Sequence, residues 1–220
     1  MNTFTEENYL KAIYKLSESG PEVINTNSVA GKLNTRAASV TDMLKKLSNK
    51  KLIIYKKYKG FSLSKNGEKV ALNIIRRHRL WEMFLAETLK FSWDEVHELA
   101  EDLEHIPSGK LTDRLDAFLG YPKTDPHGDP IPDSKGKFPK MKSSPLSVCD
   151  KKIKLKMTGV VDHSPEFLRH LGKIGMEPGD EIIIHYINEY DRSVQISVNR
   201  KKKLFLSELI AKNILVSEKK

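Results

Sequence analysis

The chain contains 220 residues and carries a formal net charge of +9, with a sequence pI of about 9.4. This length can bury a substantial core and excludes a single very small module, so we expect more than one domain. The only cysteine, Cys149, excludes an internal disulfide, and neither a signal peptide nor an apolar run of the roughly 20 residues that span a bilayer is evident. We therefore expect a cytoplasmic protein without a membrane partner.

The positive charge is concentrated in one part of the chain. Between Lys32 and Arg79, fourteen basic residues stand against two acidic ones, whereas between Leu80 and Asp116 ten acidic residues stand against three basic ones. A concentrated basic block favours a polyanionic partner such as nucleic acid, although a run of lysines also fits an ordinary solvated surface. The basic block is followed directly by an acidic one.

The first 64 residues contain helical patterns and then strand patterns. Apolar residues at helical spacing predict a first helix over Thr5 to Ser19. Asn27 is a candidate N-cap for a short second helix, and a third helix follows Arg36. Two β-prone segments, Leu52 to Tyr58 and Phe61 to Ser64, then predict a hairpin. A helix, a helix-turn-helix and a hairpin together predict a winged helix-turn-helix domain.

In such a domain, the second helix of the pair enters the major groove of double-stranded DNA. Small side chains on that helix permit close approach to base edges, while nearby lysines contact phosphates and add a salt-dependent, sequence-independent share of the affinity. The candidate DNA-binding residues are Asn27, Arg36, Ala38, Ser39, Thr41, Asp42, Lys45, Lys46, Tyr58 and Lys59. Their combination with the hairpin favours DNA binding over a merely solvated basic surface.

A long amphipathic helix is predicted over Gly67 to Leu89. It carries more apolar surface than a winged helix alone needs, in the residues Val70, Leu72, Ile74, Ile75, Leu80, Trp81, Phe84 and Leu85. DNA half-sites repeat about a two-fold axis, and a dimer matches that symmetry. We therefore expect part of this helix to form the interface of a homodimer.

Histidine and glutamate residues recur at helical spacing after the basic block. The first pair is His78 and Glu82, and the second set, on one face of a later helix, is His97, Glu101, Glu104 and His105. Each residue alone fits an ordinary helix position. Together, imidazole and carboxylate donors without thiolates suit Mn²⁺ or Fe²⁺ first, with Zn²⁺, Co²⁺ or Cd²⁺ as further ions that bind in vitro. A cation between facing carboxylates would tie two helices together, as a metal-dependent switch requires.

The C-terminal part of the chain predicts a separate β-domain. Residues 129–150 are rich in proline, lysine and serine and have little apolar periodicity, as expected of a linker. A helix is predicted over Pro165 to Gly172, and strands are predicted at Lys152 to Val160, Glu181 to Ile187, Val194 to Val198 and Lys203 to Leu206. Short strands of this number favour a small SH3-like β-barrel.

Several stretches resemble the family of metal-dependent transcriptional regulators that includes the diphtheria toxin repressor and the manganese transport regulator. They are EENYLKAIYKL, RRHRLWEMFL, EVHELAEDLEH and RLDAFLGYPKTDPHGDPIPD, and LGKIGMEPGDEI resembles the ferrous-transport-associated domain of longer members. The resemblance implies a mainly α fold with small β regions. Its parts would be a winged helix-turn-helix DNA-binding domain (1–65), a helical metal-binding and dimerisation domain (66–128), a linker (129–150) and an SH3-like domain (151–220). It also implies a homodimer that binds operator DNA when metal-loaded and represses manganese- or iron-uptake genes.

By the same resemblance, the candidate ligands form two sites. One contains His78, Glu82 and His97, and the other contains Glu101, Glu104, His105 and the position held by Asn8. Relatives have Met or Asp at the position of Asn8, and manganese-type relatives have a carboxylate at the position of Lys11. Glu101 stands where iron-type relatives have cysteine and manganese-type relatives have glutamate, which favours Mn²⁺ over Fe²⁺.

A loop and the C-terminal domain supply further candidate ligands. Residues 125–128, DPHG, resemble a Cys-Pro-His-Gly stretch that supplies ligands in longer manganese-responsive relatives, so Asp125 and His127 would join Glu82. The resemblance also places His163 and Glu166 where the C-terminal domain lends ligands to this site. The alternative interpretation is a polar, proline- and glycine-containing loop that binds no metal.

Two other functions fit parts of the pattern. A metal centre with an open coordination position activates water in hydrolases, but the sequence contains no HExxH motif and no evident nucleophile-base arrangement. The second alternative is a winged-helix regulator whose His/Glu cluster is structural and independent of metal. DNA binding that a chelator leaves unchanged would favour that alternative. We expect a regulator rather than an enzyme.

Overall fold

The computed structural model describes residues 2–20, 24–56 and 60–219. The chain divides into two compact units, which are described separately below. The first unit comprises Met1–His78, Glu101–Arg114 and Pro132–Phe138, and the second comprises Arg79–Ala100, Leu115–Ile131 and Pro139–Lys220.

The first unit begins with three helices and a hairpin. These elements are α1 (Phe4–Ser19), α2 (Thr26–Lys32), α3 (Ala37–Asn49), β1 (Ile53–Lys56) and β2 (Gly60–Leu63). They pack around a shared core in which Leu10, Val40 and Phe61 are almost completely buried. Ile24 exchanges two backbone hydrogen bonds with Phe61 and extends the antiparallel hairpin by a short bridge. This arrangement confirms the predicted winged helix-turn-helix.

Capping residues determine where the first two helices begin. Thr3 and Glu6 form a reciprocal capping box at the start of α1. Asn25 Oδ1 accepts a hydrogen bond from Ser28 N at 2.8 Å, so α2 begins at Thr26. The prediction that Asn27 is the N-cap is therefore wrong. Asn27 lies inside α2 with an exposed side chain, because Asn25 already binds the open backbone N–H groups.

A long helix and two shorter ones follow the hairpin. They are α4 (Lys65–Met83), which continues into a π-helical turn (Phe84–Thr88), α5 (Val96–Leu103) and α6 (Gly109–Phe118). Most of the apolar residues of α4 are buried, whereas Val70, Trp81 and Phe84 keep partial exposure. The surface that α4 itself leaves for a dimer is thus smaller than the sequence predicts. In the part of the chain that the structure describes, no helix combines the length and apolar character needed to cross a membrane.

The C-terminal β-domain lies within the second unit. Its elements are β3 (Ser144–Pro145), β4 (Lys154–Val160), α7 (Pro165–Lys173), β5 (Glu181–Ile187), β6 (Val194–Val198), β7 (Lys202–Leu206), α8 (Glu208–Asn213) and β8 (Ile214–Glu218). The strands form one antiparallel sheet in the order β3-β8-β4-β5-β6-β7. The four predicted strands and the predicted helix are confirmed, whereas β3, α8 and β8 have no counterpart in the sequence-based prediction.

Cys149 lies beside this sheet in a half-buried position. Its Sγ is 3.5 Å from the carbonyl oxygen of Pro145, to which the thiol donates. Burial first, and then the charges of Asp150 and Glu218, raise the pKa of the Cys149 thiol. The thiol is therefore held in its protonated, weakly nucleophilic form.

Candidate metal centre and nucleic-acid interface

Three buried side chains with metal-ligand chemistry converge in the second unit. Glu82 lies in the last turn of α4, and Asp125 and His127 lie in the loop that follows α6. One ligand atom of each lies within 4.8 Å of the other two, and the residues are only 2%, 5% and 2% exposed, respectively. The structure thus brings together the three residues that the DPHG resemblance connects, while their role as ligands stays a prediction.

Asp125 is held in place by the backbone of its own loop. Its Oδ1 accepts hydrogen bonds from the backbone N of His127 at 2.9 Å and of Asp129 at 3.0 Å. Burial, followed by repulsion from Glu82 and Asp129, raises the pKa of Asp125 well above its ordinary value. This environment disfavours a second negative charge beside Glu82 unless a cation joins the cluster.

His127 has the orientation that metal ligation requires. Its Nε2 lies 2.6 Å from the carbonyl oxygen of Trp93, so the neutral imidazole donates there and keeps a lone pair on Nδ1. That Nδ1 lies 3.8 Å from Glu82 Oε1. Burial lowers the pKa of His127, which favours the neutral form that binds metals.

Three other predicted ligands of the second unit differ in their positions. His97 Nδ1 lies 3.1 Å from Glu82 Oε1, with a side chain that is 47% exposed. His163 stacks on the ring of His127, with centroids 5.2 Å apart. Glu166 instead has a side chain that is 79% exposed, and its Oε1 accepts a hydrogen bond from Arg169 at 3.2 Å. His97 and His163 therefore lie at the edge of the cluster of Glu82, Asp125 and His127, whereas Glu166 forms an ion pair with Arg169.

The loop that carries Asp125 and His127 lies directly on strand β4. Gly128 has a φ of +92°, and a Cβ added there would lie 2.1 Å from the carbonyl oxygen of Thr158. A Cβ on Gly159 would likewise lie 2.3 Å from the carbonyl oxygen of His127. Val160 N donates to that same oxygen at 2.9 Å. Two glycines are therefore needed for this backbone-to-backbone approach.

Sequence reasoning missed the role of the arginines in the RRHR stretch, which it counted in the basic block. Arg79 Nη2 donates to Asp129 Oδ2 at 2.9 Å. This ion pair attaches the loop that carries Asp125 and His127 to α4. Arg76 and Arg77 pair with Asp113 and Glu7 at 3.0 and 3.1 Å. All three arginines are buried or nearly so and do not add to an exposed basic surface. Their position among the apolar residues of α4 is the sequence signal that indicates internal pairing.

A second group of histidines and acidic residues lies in the first unit. Glu104 is completely buried, and its Oε2 lies 2.6 Å from His78 Nδ1. Glu101 Oε1 lies 3.9 Å from the same nitrogen. Lys11, from α1, places its Nζ 2.7 Å from Glu101 and 2.6 and 2.8 Å from the two carboxylate oxygens of Glu104. His78 is therefore in direct contact with Glu104, a residue that the resemblance assigns to the other site.

His105 and Asn8 complete this group. His105 Nδ1 lies 2.8 Å from Glu7 Oε2, and the ring stacks on Phe4 with centroids 4.7 Å apart. The other ring nitrogen is 3.7 Å from Glu104 Oε1. Among the described residues, Asn8 Oδ1 is a buried acceptor without a hydrogen-bond partner. A buried acceptor in that state is available to a cation.

Helix α3 presents the predicted DNA-binding surface. Val40 and Leu44 face the core, whereas the exposed residues are Arg36, directly before the helix, and Ala38, Ser39, Thr41, Asp42, Lys45 and Lys46. Asn27 is also exposed, on α2. Tyr58 and Lys59, the hairpin candidates, lie outside the described residues. The described part of the surface combines small side chains with lysines, as groove binding requires.

Three family models match the chain in succession. "Iron dependent repressor, N-terminal DNA binding domain" matches residues 1–61, and "Iron dependent repressor, metal binding and dimerisation domain" matches residues 64–133. "FeoA domain" matches residues 144–218. These three ranges correspond to the winged helix, to the helical region together with the loop that carries Asp125 and His127, and to the β-domain.

The chain is also similar to curated proteins. It is 33% identical over 125 residues to the HTH-type transcriptional regulator MntR of Oceanobacillus iheyensis. This match covers 57% of this chain and 84% of MntR. It is 31% identical over 128 residues to the iron-dependent repressor IdeR of Mycobacterium tuberculosis, which covers 58% of this chain. The match spans 55% of IdeR, only about half of its length.

Solved structures resemble the chain over nearly its whole length. A manganese-dependent transcriptional repressor in complex with manganese has a TM-score of 0.81 at 30% identity, with 97% of this chain and 99% of that chain covered. The manganese regulator SloR has a TM-score of 0.71 at 32% identity, with 97% and 98% covered. ScaR with bound Zn²⁺ has a TM-score of 0.73 at 31% identity, with 97% and 99% covered.

Proposed function

Because this chain belongs to the family of iron-dependent repressors, which have a DNA-binding domain followed by a metal-binding and dimerisation domain, we propose that it is a transcriptional repressor activated by Mn²⁺ or Fe²⁺. It binds operator DNA as a homodimer in the cytoplasm and represses genes for metal uptake. The observation that carries the proposal is the buried cluster of Glu82, Asp125 and His127 in a chain whose α3 presents exposed lysines. No residue is assigned a catalytic role.

The residues of the cluster fit a divalent metal ion. Glu82 and Asp125 offer carboxylate oxygens and His127 offers Nδ1, a set without sulfur that suits Mn²⁺ and Fe²⁺. A bound divalent cation would offset the repulsion between the buried carboxylates of Glu82 and Asp125. The solved relatives include a manganese-dependent transcriptional repressor and the manganese regulator SloR, which supports Mn²⁺ as the first choice. Relatives have also been crystallised with Zn²⁺ and Cd²⁺, so we expect both to bind in vitro.

The surroundings of the cluster prepare it for the ion. The carbonyl of Trp93 fixes which nitrogen of His127 carries the proton, and the loop backbone fixes Asp125. Arg79 fixes the end of the loop by its ion pair with Asp129. These contacts come from the chain itself, and they would lower the cost of ordering the ligands when an ion binds.

Exposed aromatic residues support the homodimer. Phe118, at the end of α6, and Tyr121 are both exposed, and the ring of Phe84 lies 6.1 Å from that of Phe118. All three lie in the range that matches the metal-binding and dimerisation model. Exposed aromatic side chains such as Phe118 and Tyr121 are typical of interfaces, because their burial excludes a large apolar area from water.

Fluorescence anisotropy with operator candidates tests the proposed function. DNA from upstream of the gene itself and of neighbouring metal-transporter genes would be titrated with protein in EDTA, in Mn²⁺, in anaerobic Fe²⁺ and in Zn²⁺, beside unrelated DNA. We expect tight and specific binding only with Mn²⁺ or Fe²⁺. Specific binding of equal strength in EDTA would contradict metal activation and favour a structural His/Glu cluster.

Lys45→Ala is expected to weaken binding to all DNA sequences alike. Lys45 is exposed on α3, and a lysine that contacts a phosphate releases about one counterion. The slope of log affinity against log salt concentration should therefore fall by about 1. Anisotropy over a series of salt concentrations measures this slope. Lys212→Ala, which removes an exposed lysine of the β-domain, is the control and should leave the slope unchanged.

Mn²⁺ binding is expected to release protons and to weaken as the pH falls. Burial and the charge of Glu82 raise the pKa of Asp125, so this carboxyl is partly protonated where ordinary aspartates are ionised. The lowered pKa of His127 keeps its imidazole neutral, so this residue contributes little to the proton release. Calorimetry in two buffers of different ionisation enthalpy counts the protons. Asp125→Asn should release fewer, and equal release by both proteins would contradict the assignment.

A further inference from the structure

The ammonium group of Lys11 lies in the middle of the acidic cluster of the first unit. Three carboxylate oxygens surround its Nζ, one from Glu101 at 2.7 Å and two from Glu104 at 2.6 and 2.8 Å. An ammonium group has three N–H donors, so these three contacts use all of them. The side chain of Lys11 is 9% exposed and that of Glu104 is fully buried. The position is therefore a built cation site with the cation supplied by α1.

The carboxylates of this cluster already have partners among the chain's own groups. Glu101 and Glu104 share Lys11, and Glu104 also contacts His78 Nδ1 at 2.6 Å. Glu7 pairs with Arg77 and with His105 Nδ1. A divalent ion bound to the same oxygens would touch the Lys11 ammonium and be repelled by it. Displacing the ammonium instead would leave a buried positive charge without its partners.

The cluster of Glu82, Asp125 and His127 differs in this respect. Arg79 contacts it from one side, with Nε 3.6 Å from Asp125 Oδ2, while its terminal nitrogens donate to Asp129 and to the carbonyl of Pro130. The two clusters thus share carboxylate and imidazole chemistry but differ in how a cation of the chain contacts them: Lys11 Nζ lies 2.6–2.8 Å from three carboxylate oxygens, whereas Arg79 Nε lies 3.6 Å from one oxygen of Asp125.

We infer that Lys11 takes the place of a metal ion between Glu101 and Glu104, so that each chain binds one activating metal ion, at Glu82, Asp125 and His127. The inference rests on the proposed function for the identity of the ion. The pairing of α1 with Glu101 and Glu104 is then permanent, whereas a metal-held pairing would depend on metal concentration. The metal response of this chain resides in the second unit.

Metal analysis of Lys11 variants tests the inference. The purified full-length chain would be equilibrated with Mn²⁺, and bound metal would be counted by elemental analysis and by the loss of the free-ion electron paramagnetic resonance signal. We expect one Mn²⁺ per chain for the wild type and two for Lys11→Glu, because removing the ammonium frees Glu101 and Glu104 and adds a carboxylate. The buried Asn8 Oδ1 would be a further donor. Lys15→Gln, one turn further along α1, is the control and should bind one.

Two additional variants keep the result interpretable if Lys11→Glu does not fold without metal. Lys11→Gln should lower the melting temperature of the metal-free protein, and Mn²⁺ should raise it by more than in the wild type. Glu104→Gln should leave the wild-type stoichiometry of one unchanged. A wild type that binds two ions and loses one in Glu104→Gln would overturn the inference, as would Lys11 variants that both stay at one.

These measurements do not involve DNA, so they separate the inference from the proposed function. If the wild type binds one Mn²⁺ that is lost in Glu82→Gln, but DNA binding does not depend on metal, the role of Lys11 stands and the proposed activation fails. If metal activates DNA binding but the wild type binds a second ion through Glu104, the proposed function stands and the role of Lys11 fails.

Discussion

Replacing Glu82 by glutamine is expected to remove the Mn²⁺ response of DNA binding. Glu82 is almost completely buried, and its Oε1 lies among His97, His127 and the Asp125 carboxylate. Glutamine keeps the size of the side chain but replaces an anionic oxygen by a neutral one, which binds divalent ions weakly. Loss of even a supporting group around a metal lowers affinity by about 10- to 100-fold, so loss of a ligand should cost at least about 100-fold. Calorimetric Mn²⁺ titration and anisotropy measure the two effects.

The control for this variant is Glu87→Gln, which removes an exposed carboxylate from the π-helical turn that continues α4. It changes the net charge by the same amount and should leave both Mn²⁺ affinity and DNA binding near wild type. The melting temperature of Glu82→Gln in EDTA should also stay close to, or above, that of the wild type, because the variant removes repulsion between Glu82 and Asp125. A Glu82→Gln protein that responds to Mn²⁺ as the wild type does would exclude Glu82 as a ligand.

Replacing Gly128 by alanine is expected to destabilise the protein and to weaken its Mn²⁺ binding. The backbone of Gly128 has a φ of +92°, and the new Cβ would lie 2.1 Å from the carbonyl oxygen of Thr158. A backbone oxygen cannot rotate away as a side chain can, so the loop must move off strand β4. Strain at one such residue costs about 1–3 kcal/mol, and we expect a total loss of about 3 kcal/mol or more in the free energy of unfolding. Denaturant unfolding measures the loss.

Gly120→Ala is the matched control for Gly128→Ala. Gly120 also has a positive φ, +72°, but no atom lies within 4 Å of a Cβ added there. Its substitution should therefore cost only the backbone strain, about 1–2 kcal/mol, and leave Mn²⁺ affinity unchanged. Equal losses of stability in the two variants would show that the contact with β4 does not constrain the ligand loop.

Local sequence patterns predict most of the helices and strands of this chain. Strands β5 and β6 match their predicted bounds because both are short segments rich in isoleucine and valine, and α7 begins at its predicted Pro165. The start of α2 was misplaced because Asn25 and Asn27 are equally good caps in sequence, and the choice between them depends on which backbone N–H groups the fold leaves open. Strand β8 was missed because its five residues directly follow the short helix α8 without a turn signal.

The candidate site could be predicted only in part, because its remaining contacts are long-range. His78, Glu82, His97, Glu101 and Glu104 are visible as a helical pattern. The pairing of Lys11 with Glu101 and Glu104 joins residues about 90 positions apart, and no periodicity records such a contact. The sequence could not show that Arg79, counted in the basic block, pairs internally, since its partner Asp129 is 50 positions away. Composition gives the charges, but only the fold shows which of them neutralise each other.

The absence of sulfur from the ligand cluster has a consequence for cells under oxidative stress. Peroxide oxidises thiolate ligands to sulfenic acid and so removes them from a metal, whereas carboxylates and imidazoles do not follow this reaction. Asp125 stands in a DPHG stretch that resembles Cys-Pro-His-Gly, and the only cysteine of the chain, Cys149, is half-buried with a raised pKa. With Glu82, Asp125 and His127 as the proposed ligands, peroxide would leave the donor atoms chemically unchanged, and the proposed response to metal would not depend on the oxidation state of a thiol.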